Sequence, residues 1–166
     1  IMRLFAGDDL VSTGTIDRSK ATKSGYFRQL NWDAGLSELE AVDVLMNAGM
    51  SLKEAMPALD RYGLAEREHV LFRDLSGGQK ARLRLILLET EGANLLLMDE
   101  PTDNLDIVSA GELERALSEF SGCALIVSHD RWLLSTVCHR FWDVQPDGRV
   151  VQLDRLPPKY RAVTAA

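Results

Sequence analysis

The sequence predicts an α/β fold in which a parallel sheet carries a small helical subdomain. Residues 93–98 and 123–127 are short, continuous apolar runs, as expected for strands buried on both faces of a parallel sheet. A helical pattern at about 107–120 lies between them and has the length of a crossover connection. Apolar positions at helical spacing between residues 37 and 63 predict the helical subdomain.

Length and composition favour a single domain. The 166 residues are 46% hydrophobic, which is enough to bury a core. The formal net charge of -6 argues against a domain that binds nucleic acid on its own. No apolar run approaches the length that spans a bilayer and no signal peptide is visible, so we expect a cytoplasmic protein. Cys123 and Cys138 lack metal-ligand spacing and are interpreted as reduced thiols.

The first part of the chain predicts a helix end and two strands. Residues 1–7 have the pattern of the last turns of an amphipathic helix that a glycine stops. Residues 13–16 fit a turn into a strand, and residues 24–29 fit another strand, which ends in Gln29. A glutamine at a strand end is usually polar surface, but its position ahead of the motif at residues 75–79 favours a functional role.

Two helices are expected between residues 37 and 63, separated at residues 49–51. Ser51 is expected to cap the second helix, with Glu54 three residues on, which is the pattern of a capping box. Residues 67–74 form a polar approach to the next motif.

Residues 75–79 read Leu-Ser-Gly-Gly-Gln and introduce a helix. Ser76 can cap that helix, and Gly77 and Gly78 have no side chains that would obstruct a ligand. The exposed N–H groups and the helix dipole would then form an anion site. The alternative is an ordinary serine-capped helix after a glycine turn. The basic residues that follow are interpreted as solvated helix surface: Lys80, Arg82 and Arg84.

The two predicted strands end in polar side chains. Asp99 and Glu100 follow the first strand, at the edge where open α/β sheets place ligands. Because side chains alternate along a strand, one carboxylate could hold Mg²⁺ through water while the other orients and deprotonates a water that attacks phosphate. His129 follows the second strand and could donate a hydrogen bond to a phosphate oxygen. The alternatives are a pair of solvated acids and a structural histidine.

The last part of the chain predicts a short helix and a hairpin. Asp130 can cap a helix that contains Trp132. Residues 141–144 and 149–153 are two short strands joined by a turn that contains Pro146-Asp147-Gly148, which predicts a hairpin. The tail after residue 157 is expected to be a short helix or disordered.

These motifs together resemble those of ATP-binding-cassette (ABC) ATPases. Residues 75–79 look like the signature motif, residues 95–99 like the Walker B strand and Glu100 like the catalytic glutamate that follows it. Residues 104–106 resemble the D-loop, and His129 resembles the switch histidine. The resemblance implies a P-loop NTPase-like fold.

Residues 99–106 and 127–131 are most similar to the ABC-F subgroup, and in particular to its C-terminal cassette. In that subgroup two cassettes share one chain without membrane spans, and characterised members act on the ribosome. Asp103 departs from the asparagine that is usual at its position.

The resemblance also implies ligands and roles. ATP and Mg²⁺ are the expected ligands, with Gln29 and Asp99 near the metal. A second cassette, arranged head to tail in the same chain or in a homodimer, would hold the nucleotide that the signature motif faces. The expected catalytic residues are Glu100 and His129, and the expected nucleotide-binding residues are Gln29, Ser76, Gly77, Gly78, Gln79, Asp99 and Asp106.

The phosphate-binding loop of this family, G-x-x-x-x-G-K-[ST], does not occur in these residues. We therefore interpret residues 1–166 as a partial, N-terminally incomplete cassette, with a helical subdomain at about 33–74 and a C-terminal hairpin and tail at about 140–166. Truncation, disorder upstream and a gene fragment are alternative explanations.

Three functions follow from the resemblance. The favoured one is the ATP-hydrolysing cassette of an ABC-F protein on the ribosome, acting in translation or in antibiotic resistance, with rRNA contacts made by other parts of the protein. The fragment alone is expected to be inactive. The alternatives are the ATPase subunit of a membrane transporter and a non-catalytic binding module.

Overall fold

The computed structural model describes residues 2–7, 15, 17–27, 35–103 and 105–157. The helices within these ranges are α1 (Met2–Ala6), α2 (Ala41–Asn47), α3 (Leu52–Arg61), α4 (Gly77–Thr90), α5 (Ile107–Glu119) and α6 (Arg131–Val137). The strands are β1 (Ser24–Phe27), β2 (Leu95–Asp99), β3 (Cys123–Val127), β4 (Phe141–Val144) and β5 (Val150–Leu153).

A parallel sheet with the strand order β1-β2-β3 lies at the centre of the described fold. The central strand β2 buries Leu96, Leu97 and Met98 completely, as its continuous apolar sequence predicts. The helix α5 connects β2 to β3 and therefore makes the predicted parallel crossover. The predicted α/β class with a parallel sheet is confirmed.

The strand β3 is less buried than its apolar sequence predicts. Its residues are half-buried or exposed, and Val127 and Cys123 at its two ends are exposed. The reason is position, because β3 lies at the edge of the sheet among the strands that the structure describes. Cys123 was expected in a core strand, and that expectation is wrong.

The helical part shares its core with the sheet. A single hydrophobic cluster includes Leu45 of α2, Leu59 of α3, Leu83 of α4 and Leu96 of β2. The predicted capping box of α3 is present, because the carboxylate of Glu54 accepts hydrogen bonds from the backbone N–H of Ser51 at 2.8 Å and from its hydroxyl at 2.7 Å.

The segment before α4 is hydrogen-bonded to the segment before α2. Glu40 and Leu71 form an isolated antiparallel bridge, and the Phe72 N–H donates to the Leu39 carbonyl at 2.8 Å. Two short 3₁₀ helices, Ala65–Arg67 and Phe72–Asp74, complete the approach to α4. The start of α4 is therefore anchored to the helical part.

The C-terminal hairpin is confirmed. Strands β4 and β5 pair antiparallel, with Phe141 opposite Leu153 and Val144 opposite Val150. The Trp142 ring lies against the Phe5 ring of α1, with 6.0 Å between their centroids. The tail from residue 158 onward, the predicted turn and strand at 13–16 except Thr15, and Gln29 lie outside the described residues.

Within the described ranges, no helix is both long enough and apolar enough to cross a membrane.

Candidate functional site

The start of α4 carries a complete capping box. The Ser76 hydroxyl accepts a hydrogen bond from the Gln79 backbone N–H at 3.2 Å, and the Gln79 side-chain oxygen accepts one from the Ser76 backbone N–H at 2.9 Å. The N–H groups of Gly77 and Gly78 belong to the first turn, which has no intrahelical acceptors. Residues 76–79 therefore have the capped helix start that the sequence predicts, with two donors left at its tip.

The two glycines of this helix start also serve packing. Gly78 is buried, and a Cβ there would lie 2.7 Å from the Ser109 Cβ and 2.8 Å from its Cα. A Cβ at Gly77 would meet a terminal methyl group of Leu105 at 2.9 Å. The sequence suggested that these glycines give a ligand access, but close approach to the start of α5 also requires a glycine at Gly78.

Asp106 caps α5. Its carboxylate accepts hydrogen bonds from the Ser109 backbone N–H and from the Ser109 hydroxyl, both at 2.9 Å. These two bonds, with the backbone bond contributing most, hold the pKa of Asp106 below its ordinary value. Ser109 thus contacts both Asp106 and Gly78 and connects the predicted D-loop to the predicted signature motif.

The carboxyl ends of β2 and β3 bring the other predicted residues together. Asp99 is the exposed last residue of β2 and lies opposite Val127. Glu100 follows with φ of 45°, a conformation that non-glycine residues rarely adopt. Its backbone N–H donates to the Val127 carbonyl at 2.8 Å. Backbone strain of this kind is concentrated at functional sites in proteins.

Glu100 and His129 are in direct contact. The backbone N–H of His129 donates to Glu100 Oε2 at 3.0 Å, and His129 Nε2 lies 3.5 Å from Glu100 Oε1. The His129 side chain is 99% exposed, whereas that of Glu100 is 23% exposed. Glu100, whose carboxylate accepts a backbone hydrogen bond, and His129, whose imidazole is accessible, therefore lie at the same edge of the sheet.

The predicted site residues thus form two groups. The sheet-edge group contains Asp99, Glu100 and His129. The helix-start group contains Ser76, Gly77, Gly78, Gln79 and Asp106. Residues 101–103 follow the first group, and Leu105 lies against Gly77 of the second. Gln29 belongs to neither, because it lies outside the described residues.

The described residues fit a metal that arrives with a nucleotide. Asp99 offers an exposed oxygen ligand, and Mg²⁺ at phosphate sites usually takes one or two carboxylates with the remaining positions filled by phosphate and water. Among the described residues, no cluster of three or more His, Cys, Asp or Glu side chains could hold a metal alone. Asp99 therefore offers one carboxylate ligand of the kind that such a metal takes.

One residue near the site was misinterpreted from the sequence. Arg82 was expected on a solvated helix surface, but its side chain is only 8% exposed and pairs with Glu112 at 2.8 Å. Burial lowers the pKa of Arg82, and the carboxylate of Glu112 opposes that effect. The sequence carries no signal for this burial, because α4 is covered on nearly all sides.

The chain matches a protein-family model described as "ABC transporter" over residues 2–103. It is 42% identical to an "Antibiotic resistance protein" of Mycobacteroides abscessus over 142 residues, which cover 82% of this chain and 26% of that protein. It is 32% identical to the "Energy-dependent translational throttle protein EttA" of Escherichia coli K12 over 159 residues, which cover 90% of this chain and 28% of that protein. The chain therefore spans about a quarter of the length of these relatives.

Solved structures show the same fold. The chain is similar to cbiO1 from Clostridium perfringens, part of the ABC transporter complex cbiONQ, with a TM-score of 0.61 and 24% identity. The match covers 79% of this chain and 57% of that one.

Proposed function

This chain belongs to the ATP-binding-cassette family, and we propose that it is part of an ATP-hydrolysing cassette of the ABC-F type. The contact between Glu100 and His129, next to Asp99 at the carboxyl edge of a parallel sheet, carries this proposal. In such sheets this edge is where ligands bind.

Glu100 is the proposed general base. Its carboxylate would orient the water that attacks the γ-phosphate of ATP and accept a proton from it. The hydrogen bond from the His129 backbone fixes Oε2 of Glu100, and Oε1, which lies 3.5 Å from His129 Nε2, would face the water. The exposed His129 imidazole would donate a hydrogen bond to a γ-phosphate oxygen.

Asp99 would hold Mg²⁺ through water, and Gln29 is assigned to the same metal by resemblance. When bound, Mg²⁺ neutralises charge that develops on the phosphate oxygens. The protein contributes position and charge rather than covalent chemistry, as phosphoryl transfer requires.

The helix-start group would act on a second cassette. The N–H groups of Gly77 and Gly78, the Ser76 hydroxyl and the positive end of the α4 dipole would face the γ-phosphate of the nucleotide that the partner holds. Asp106 would lie along the interface. The partner is a second cassette in head-to-tail arrangement, either in the same polypeptide or in a homodimer.

A role on the ribosome is supported by the names of the two relatives, one an antibiotic resistance protein and the other a translational throttle protein. We place the protein in the cytoplasm. Because the chain carries a net charge of -6, parts of the protein other than these residues would contact rRNA.

The second candidate is the ATPase subunit of a membrane transporter, which the similarity to cbiO1 and the family description favour. The two candidates predict different partners. If the protein is of the ABC-F type, we expect the complete gene product with Glu100→Gln to co-sediment with ribosomes. If it is a transporter subunit, we expect it to co-purify with a membrane protein.

ATP turnover by the complete gene product tests the enzymatic part of the proposal. We expect Glu100→Gln to lower turnover by about 100-fold or more, because the general base is lost. Glu66→Gln is the matched control, since Glu66 is an exposed carboxylate in the short helix Ala65–Arg67. Equal turnover in the two variants would contradict the proposal.

A further inference from the structure

We infer that Arg82 is a positioning residue that sets the direction of the signature helix by joining α4 to α3 and α5. The inference rests on the proposed function, since it assigns a role within the same site.

Arg82 donates hydrogen bonds to three elements. Its Nη1 lies 2.9 Å from the carbonyl oxygens of both Tyr62 and Gly63, just beyond the end of α3. Its Nη2 lies 2.8 Å from Glu112 Oε2 on α5, and its Nε lies 3.4 Å from the Gly78 carbonyl within α4. One guanidinium therefore connects three helices through acceptors at fixed positions.

The carbonyl groups at the end of α3 form a site that can bind a cation. The Leu64 N–H donates to the Leu59 carbonyl at 2.7 Å and the Gly63 N–H to the Asp60 carbonyl at 2.9 Å, which is the Schellman pattern. The carbonyls of Tyr62 and Gly63 lie at the negative end of the helix dipole, where they accept hydrogen bonds from Arg82.

Gly63 leaves the space that this contact needs. Its φ of 65° is strained for side-chain-bearing residues, and a Cβ there would lie 2.9 Å from Arg82 Nη1. The guanidinium is thus packed as well as hydrogen-bonded.

Gly78 links this network to the helix start. Its carbonyl accepts a hydrogen bond from Arg82 Nε, and its Cα packs against Ser109 of α5. A change in the Arg82 contacts would rotate the first turn of α4 and redirect the N–H groups that face the partner's nucleotide. Binding of nucleotide to this cassette's own sheet edge does not involve these contacts, so the effect belongs to turnover.

Lysine is a poor replacement for Arg82. A guanidinium presents donors in a rigid planar fork, whereas an ammonium is a single point charge on a flexible stem. The four acceptors of Arg82 lie in three directions, which suits the planar guanidinium. We therefore expect Arg82→Lys to keep only part of this hydrogen-bond network.

The test uses the complete gene product and the variants Arg82→Met, Arg82→Lys and Glu112→Gln, with Arg115→Met as the control at an exposed arginine of α5. We expect Arg82→Met to lower kcat for ATP by about tenfold or more while KM changes by less than about threefold. Arg82→Lys and Glu112→Gln should fall between Arg82→Met and wild type, and Arg115→Met should match wild type.

Amide hydrogen exchange over residues 76–82 separates this inference from the proposed function. Exchange there should be faster in Arg82→Met and Glu112→Gln than in Arg115→Met, whether or not the protein turns over ATP. Wild-type levels of both exchange and kcat in Glu112→Gln would overturn the inference. A rise in KM for ATP at constant kcat in Arg82→Met would also overturn it. If Arg82→Met does not fold, Glu112→Gln decides, since Glu112 is 34% exposed and an amide has nearly the same shape as its carboxylate.

Discussion

Ser76 and Ser51 lie at the same position of two similar capping boxes, yet only Ser76 lies at the predicted ATP site. Ser76 pairs with Gln79 at the start of α4, and Ser51 pairs with Glu54 at the start of α3. The comparison separates capping from function, because both serines stabilise a helix start.

Replacing either serine with alanine should lower stability similarly. We expect Ser76→Ala and Ser51→Ala each to reduce the free energy of unfolding by about 1 kcal/mol, measured by urea denaturation. Only Ser76→Ala should also reduce ATP turnover by the complete gene product. A matching loss of turnover in Ser51→Ala would mean that the Ser76 effect is structural.

At the residue scale, local patterns predict caps well and tertiary contacts poorly. The Ser51 and Ser76 caps follow from short motifs whose bonds join residues three apart. The positive φ of Glu100 and the burial of Arg82 depend on β3 and α5, which are distant in sequence. No periodicity in α4 could single out Arg82, because α4 is buried on most of its faces.

At the element scale, α4 and α5 pack together through the smallest available side chain. Gly78 allows the approach, and Ser109 of α5 fills the space beside it. The two helix starts that carry Ser76 and Asp106 therefore hold a fixed relation.

Gly78→Ala should disrupt this packing. Its methyl group would lie against the Ser109 backbone, so we expect a loss of about 1–3 kcal/mol in the free energy of unfolding. The control is Gly111→Ala in α5, where a Cβ meets nothing within 4 Å. That change should raise stability by about 0.5–1 kcal/mol through helix propensity. Thermal or urea denaturation of both variants checks the pair, and a neutral Gly78→Ala would contradict the packing argument.

The bridge between the segments before α2 and α4 includes a titratable pair. Glu40 Oε2 lies 2.6 Å from His69 Nδ1, and this hydrogen bond raises the pKa of His69 above its ordinary value. The contribution to stability is therefore complete below the ordinary histidine pKa and is lost as the pH rises through the raised value.

Titration of His69 by NMR tests this pair. We expect Glu40→Gln to return the pKa of His69 toward its ordinary value and to remove its share of the pH dependence of stability. Glu66→Gln should leave the titration unchanged. An unaltered His69 titration in Glu40→Gln would show that the pair does not form in solution.

At the scale of the whole molecule, the sequence predicts the fold class from two apolar strands and one crossover helix. It does not predict how deeply each strand is buried, because burial depends on which strands flank it. The result is that residues 96–98 of β2 are buried, whereas all residues of β3, which is also apolar, are half-buried or exposed.

The isolated 166-residue chain should not hydrolyse ATP, since its sequence contains no phosphate-binding loop to hold the β- and γ-phosphates. Purified chain assayed for phosphate release should match a buffer blank. Turnover that Glu100→Gln abolishes would contradict this expectation and assign a complete site to these residues.

The role of Glu100 is tested by the nucleotide that the complete gene product with Glu100→Gln retains after gel filtration with γ-labelled ATP. We expect this variant to retain unhydrolysed ATP, because hydrolysis needs the general base at the sheet edge. Label released as phosphate by Glu100→Gln at the wild-type rate would contradict it.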